Sequence, residues 1–347
     1  MKLTCLVDNA VPAKFPQDPI PKGTAPTRDL PAAQEEPETM AERRKALSGK
    51  RIGIFGKGGA GKSTIVALLA KALRDWGYEV CVLDADSTNL GFHQALGLDK
   101  APVPLMDYFG GTVFSGGAVT CPVDDPTPLA RAQISLDRLP RQYCVQNREG
   151  IALLAAGKIG DQGPGAGCDG PISKIARDLR IHRHGERLLT LVDFKAGFED
   201  SARGVVTSLD WAIVVVDPTN AAIQMAADMR HMVDQIKAGI LPATGHLKDP
   251  ELVEAANRVF REAKIKGVLP VLNKVRNEEM ESYMRRKLEE KGIEPIGVIH
   301  EAPSIAMAWL KGTSLEEVET QKDAKSIAER LEAAEEAFSV ATSARKE

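Results

Sequence analysis

Apolar residues along this chain alternate between two textures. RIGIFG (51–56) is a short apolar run ending in glycine, STIVALLAKALRDWG (63–77) spaces its apolar residues along one helix face, and YEVCVLDAD (78–86) returns to a buried-strand pattern. Strand, loop, helix and strand follow in that order. The alternation resumes with LLTLVDF (188–194), WAIVVVD (211–217), GVLPVLN (267–273) and IGVIH (296–300). Between them lie helical patterns such as AAIQMAADMRHMVDQI (221–236) and EEMESYMRRKLEEKG (278–292). Strands alternating with helices predict an α/β fold: a doubly wound, mostly parallel β-sheet flanked by helices.

Two regions break this rhythm. Residues 9–40 hold seven prolines and little apolar periodicity, so residues 1–48 read as a proline-rich, flexible leader to a domain over 49–340. The MKLTCLV ahead of the prolines reads as a frayed terminus, an edge strand or a docking peptide. Between about 99 and 150 the pattern weakens into PVPLMDYFGGTVFSGG and CPVDDPTPLARAQ, an expected insertion on the carboxyl-edge side of the sheet. Near the end, Ile327, Leu331, Ala334 and Phe338 share one face of a closing helix. Its polar face is acid-rich and lacks the basic stripe of a membrane-surface helix.

Composition narrows the function classes. Of 347 residues, 45 are Lys or Arg and 48 Asp or Glu, a formal charge of -3, so no global basic field argues for nucleic acid or anionic membrane. The longest apolar runs are strand-length, well short of the roughly 20 residues of a membrane span. MKLTCLVDNAVPAKF has too short an apolar stretch for a signal-peptide core, and a cytoplasmic protein is expected. Five scattered cysteines (Cys5, Cys81, Cys121, Cys144, Cys168) imply reduced thiols in place of a disulfide framework.

GKGGAGKST (56–64) carries the chemistry. It contains G-x-x-x-x-G-K-S directly after a strand and before a helix, the context of a phosphate-binding P-loop. The backbone N–H groups of Gly58, Gly59, Ala60 and Gly61 are expected to cradle phosphates. Lys62 would reach the β and γ oxygens, Ser63 would ligate Mg2+, and Thr64 adds a hydroxyl. Carboxylates should stand beside such a metal at the ends of neighbouring strands. CVLDADSTNLG supplies Asp84 and Asp86, of which one can face the nucleotide and the other the strand edge or metal shell; LLTLVDFKAGFED supplies Asp193.

GKGGAGKST, DADSTNLG, VDFKAGFEDSARG, VVVDPT and VLNK, in this order, resemble the deviant Walker A ATPases. That superfamily includes the nitrogenase iron protein and the septum-site and partition ATPases. The likeness spans roughly residues 50–320. It implies ATP hydrolysis by a homodimer, with Lys57 as a signature lysine reaching the partner's nucleotide. It further implies that Asp86 orients the attacking water, Asp193 opens a second switch, and Asn273 reads the adenine amino group. Pro303, in HEAPSIAMAWLKGTSL, would belong to the segment that wraps the base.

REGIALLAAGKIGDQGPGAGCDGPISKIARDL (148–179) is similar to the carbon monoxide dehydrogenase accessory, nickel-insertion ATPases. This likeness implies a maturation or metal-insertion factor with a client metalloenzyme. In those relatives two cysteines per subunit meet at the dimer axis, whereas here Ala166 and Gly170 flank Cys168 where a second thiol could stand. Cys168 thus reads either as half of a two-thiolate Ni2+ or Zn2+ site, with Asp169 as a supplement, or as a plain loop thiol. The alternatives to maturation are a partition or positioning switch on a surface or polymer and, ranked last, an iron–sulfur reductase. His182 and His184 in RIHRHGER read as an exposed basic loop before a strand in preference to a metal-binding pair. Met225, Met229 and Met232 follow helical spacing and read as core or dimer contacts.

Overall fold

The structure, a computed structural model, describes residues 45–111, 119–158, 169–316 and 318–344. Cys5, Cys168 and the leader up to residue 44 lie outside them. In chain order the elements are β1 (Arg51–Gly56), α1 (Lys62–Asp75), β2 (Val80–Ala85), α2 (Phe92–Ala95), α3 (Leu105–Tyr108), β3 (Gln133–Ser135), β4 (Val145–Gln146) and β5 (Ala152–Ala155). There follow α4 (Gly170–Asp178), β6 (Arg180–Arg183), β7 (Glu186–Arg187), β8 (Leu189–Phe194), α5 (Glu199–Ala202) and β9 (Trp211–Val216). The chain continues through α6 (Asn220–Lys237), α7 (Pro250–Arg261), β10 (Gly267–Val275), α8 (Glu278–Glu289), β11 (Gly297–His300), α9 (Pro303–Lys311) and α10 (Val318–Ala344).

One eight-stranded sheet, ordered β11-β10-β9-β1-β8-β2-β5-β4, organises the molecule. Its neighbours run parallel except at the edge, where β4 is antiparallel to β5. A strand covered on both faces is predominantly apolar along its length. In β9, Trp211, Ile213 and Val215 enter one core beside α1 and α10, while Ala212, Val214 and Val216 enter the other beside α4, α6 and α8. Met225 and Met229 lie in that second core and Met232 packs against it, which meets the core half of the reading for these residues.

The last helix closes the domain as its periodicity predicts. Ile327 and Leu331 are fully buried, and Ala334 and Phe338 pack on the same cluster. Each buried aliphatic side chain stabilises by roughly 1.5–3 kcal/mol. Glu335 fastens the helix to the sheet, 2.6 Å from Lys266, 2.9 Å from Lys50 and 2.9 Å from the Trp211 indole N–H.

Two local expectations change. The 99–150 stretch is not simply a ligand-side insertion: β4 extends the sheet edge, and β3 pairs with β6 in a second sheet ordered β3-β6-β7. α3 meets the carboxyl end of β5, where Met106 N donates to Ala156 O at 3.0 Å. RIHRHGER is a hairpin, not a loop. His184 (φ 49°) and Gly185 (φ 86°) form its two-residue turn, and positive φ at both positions matches the twist of the paired strands β6 and β7.

Candidate active site

β1 ends at Gly56, and the chain re-enters helical geometry only at Lys62, through Gly59 (φ 75°) and Gly61 (φ 95°). Non-glycine residues rarely hold such angles, so the glycines let the backbone wrap tightly at the helix N-terminus. This loop lines a cleft of about 550 Å³. Gly58, Gly59, Gly61, Lys62, Ser63 and Thr64 all face it, while Ala60 is buried behind. The opposite wall is apolar, built by Ile299, Ala302, Ile305, Ala306 and Trp309. Trp309 also donates from Nε1 to Thr64 Oγ1 at 2.9 Å, joining that wall to the first turn of α1. Pro303 opens α9 next to this wall but is not among the lining residues.

Lys62 is buried, and its Nζ lies 3.5 Å from the carbonyl of Lys57, folded back over its own loop. Lys57 behaves differently. Its half-buried side chain leaves the loop toward Thr219 Oγ1, at 3.4 Å. Asn273 donates Nδ2 to the Ala60 carbonyl at 2.7 Å and leaves its side-chain oxygen as the acceptor that reading an amino group requires. Lys274, at a bulge in β10 with φ 59°, donates to Gly59 O at 2.7 Å.

The three aspartates take different places. Asp193, at the end of β8, is fully buried and accepts from Ser63 Oγ at 2.5 Å. Its other oxygen has no hydrogen-bond partner. Burial first, then the nearby Asp84 charge, pushes its carboxyl up to about 7, while the Ser63 bond opposes the rise. A hydrated Mg2+ beside Ser63 fits this donor set: it would satisfy the orphaned oxygen and favour the ionised form. Asp84 turns away from the cleft to Lys158, 2.5 Å distant, and burial raises it to about 6 despite that lysine. Asp86 lines the cleft with its Oδ1 taking the Thr88 N–H (2.9 Å) and hydroxyl (2.7 Å). Of the three residues expected around Mg2+, Ser63 and Asp193 stand in contact, while Asp84 pairs with Lys158.

Several contributors escape sequence reasoning. Asn89 donates to Ser63 Oγ at 2.8 Å. Trp309 and Lys274 sit far along the chain from the loop they touch. Asp169 accepts from Lys195 (2.7 Å), Arg203 (3.3 Å) and Ser87 (3.3 Å), so both segments after β2 and β8 converge on the start of α4. Asn89, Lys274 and Trp309 lie inside the motif stretches DADSTNLG, VLNK and HEAPSIAMAWLKGTSL, but nothing in those stretches marks them out from their neighbours. Among the described residues no three His, Cys, Asp or Glu side chains gather into a metal-binding group, and Cys168 falls outside them, so Ni2+ or Zn2+ finds no support here. No helix among the described residues is long and apolar enough to cross a membrane.

With the geometry known, comparison is informative. The CobQ/CobB/MinD/ParA nucleotide binding domain matches residues 54–315. An uncharacterized ATP-binding protein of Methanocaldococcus jannaschii is 35% identical over 188 residues, 54% of this chain and 74% of that protein. The carbon monoxide dehydrogenase accessory protein CooC of Rhodospirillum rubrum is 31% identical over 195 residues, 52% of this chain and 67% of its own. An iron-sulfur cluster carrier protein of Pyrococcus furiosus is 42% identical over 203 residues, 57% of this chain and 62% of that one. Among solved structures, the MinC:MinD cell division protein complex of Aquifex aeolicus aligns with a TM-score of 0.51 and 19% identity, covering 82% of this chain and 96% of that one; this likeness shows the fold.

Proposed function

This chain belongs to the CobQ/CobB/MinD/ParA family of ATP-binding P-loop proteins, and from that premise we propose that it is a homodimeric ATPase switch serving the maturation of a metalloenzyme. The observation that carries the switch is the divergence of the two loop lysines. Lys62 stays with its own loop, while Lys57 leaves it and is free to meet a phosphate held by a second subunit. A γ-phosphate in transfer gathers negative charge, and a cation delivered across an interface is worth roughly 10³–10⁵ in rate.

In this reading Gly58 to Thr64 hold the phosphates, the Asn273 oxygen takes the base amino group, and Trp309 with Ile305 covers the ring. Asp86 orients the attacking water with the carboxylate oxygen left over from Thr88. When bound, Mg2+ supplies charge neutralisation at the phosphate oxygens, and Ser63 with Asp193 would hold it. Lys57→Ala should lose turnover by roughly 10³-fold. Asp86→Ala should lose turnover yet still bind nucleotide; full turnover by both variants overturns the shared-site mechanism.

The maturation role rests on the 148–179 likeness and the accessory-protein relative. The iron-sulfur carrier relative favours a second reading, in which the cargo is a cluster. Metal and sulfide analysis of the ATP-loaded protein, with and without Cys168→Ala, separates the two, and a pull-down identifies the client. An ATP-loaded dimer that carries no metal but coats vesicles or DNA is instead a positioning ATPase.

A further inference from the structure

We propose that Lys158 is a positioning residue for ATP hydrolysis, holding the segment that bears Asp86 at a fixed distance from the phosphate loop. This rests on the ATPase reading above. Lys158 follows β5, and its ammonium reaches three oxygens: Asp84 Oδ2 at 2.5 Å, the Asp86 carbonyl at 2.5 Å and the Asn89 carbonyl at 2.8 Å. An ammonium has three donors, so this set satisfies it completely.

The geometry of the three acceptors gives the group its role. Asp84 is a rigid reference, buried in β2 and in register with Asp193 of β8. The other two acceptors are backbone carbonyls of the loop that leaves β2, one of them Asp86's own. Asn89, whose carbonyl is held by Lys158, passes its side-chain amide to Ser63 Oγ, which donates to Asp193. Lys158 therefore ties the loop to the strand on one side while Asn89 ties it to the phosphate loop on the other. Asp86 is held directly at the first fastening, three residues before the second. Water positioning is sensitive to displacements of about 1 Å, so loosening this loop should slow the chemical step more than it weakens binding.

A merely structural lysine is available for comparison in the same molecule. Lys174 is as thoroughly used, donating to Thr120 Oγ1 (2.8 Å), the Asp125 carbonyl (2.9 Å) and Asp125 Oδ2 (3.0 Å), but none of its partners lines the cleft, whereas Lys158 holds Asp86 and Asn89, which do. Steady-state ATP hydrolysis, ADP affinity and thermal unfolding should be measured on the full chain for wild type, Lys158→Met and Lys174→Met. Both variants should lower the melting temperature. Only Lys158→Met should lower kcat, about tenfold or more, with the ADP dissociation constant within about threefold of wild type. In Lys158→Ala, added propylammonium should restore part of the rate and tetramethylammonium should not, because only the former has N–H donors. If Lys158→Met does not fold, Lys158→Gln, which keeps a donor, is read in the same way. A kcat within twofold of wild type for the Lys158 variant, or an equal loss in Lys174→Met, overturns the assignment. Wild-type protein that binds ATP without turning it over overturns the ATPase reading itself, and this role with it.

Discussion

Gly61→Ala should destabilise the nucleotide-free protein by roughly 3 kcal/mol, and the two parts of that cost can be separated. The first is conformational: at φ 95° a side chain meets its own backbone, at about 1–2 kcal/mol. The second comes from a neighbour 212 positions away in the chain's folding partner β10. A Cβ on Gly61 would stand 2.2 Å from Asn273 Nδ2, so Asn273 must give up its 2.7 Å bond to the buried Ala60 carbonyl. An unsatisfied buried carbonyl costs about 1–3 kcal/mol. Gly59→Ala is the matched control: φ is 75°, nothing lies within 4 Å, and only the conformational part, about 1 kcal/mol, should appear. Asn273→Ala alone should cost about 2 kcal/mol. The double variant Gly61→Ala/Asn273→Ala should then cost about 3 kcal/mol, not the roughly 5 of independent sites, since the alanine at 61 no longer displaces anything. Urea unfolding at pH 7 without nucleotide measures all four. Additive costs in the double variant would falsify the account of Gly61 as a residue selected for close approach.

In the metal-free protein the contribution of Asp193 to stability should fall as pH rises from about 4 to about 7. Asp193 is raised to about 7 in the fold, from 3.8, so over that window the folded state binds more protons than the unfolded state, and the total loss is about 4 kcal/mol. Asp193→Asn should reduce this slope in chelator without removing it, because buried Asp84, raised to about 6, adds a slope of the same sign, and thermal melts at pH 5, 6, 7 and 8 that remain parallel to wild type would refute the assignment. Glu335→Ala should cost about 1–3 kcal/mol, chiefly by leaving the Trp211 N–H without its buried acceptor, since Lys266 keeps Asp210 at 3.3 Å, while ATP affinity stays unchanged. Equal losses of stability and nucleotide binding, measured by urea unfolding and titration, would contradict the separation of α10 from the cleft.

What could be read without a structure was local and periodic. GKGGAGKST between a strand and a helix identified the phosphate loop because the glycines, the helix start and Lys62 act within nine consecutive residues. Apolar runs in β1, β8, β9 and β10 identified a sheet buried on both faces, since two-sided burial leaves few polar positions, among them Asp193 and Asn273 near the strand ends. The closing helix was legible from Ile327, Leu331, Ala334 and Phe338 because their three- and four-residue spacing puts them on one face. The hairpin at RIHRHGER was missed because its polar strands bury little and only the His184-Gly185 turn betrays it.

The division of labour among charged groups belonged to the tertiary structure. Asp84 and Asp193 look alike in sequence, each ending an apolar strand; strand pairing puts them side by side, after which Lys158 takes one and Ser63 the other. Asn273 against Gly61, and Trp309 on Thr64, likewise join positions far apart along the chain, so no window of sequence contains both members. The sequence by itself determined that this chain builds a phosphate loop on a two-faced parallel sheet, because those features are set by neighbours. Which oxygen meets which ammonium was decided only when the strands came together, because the charges interact through space and not along the chain.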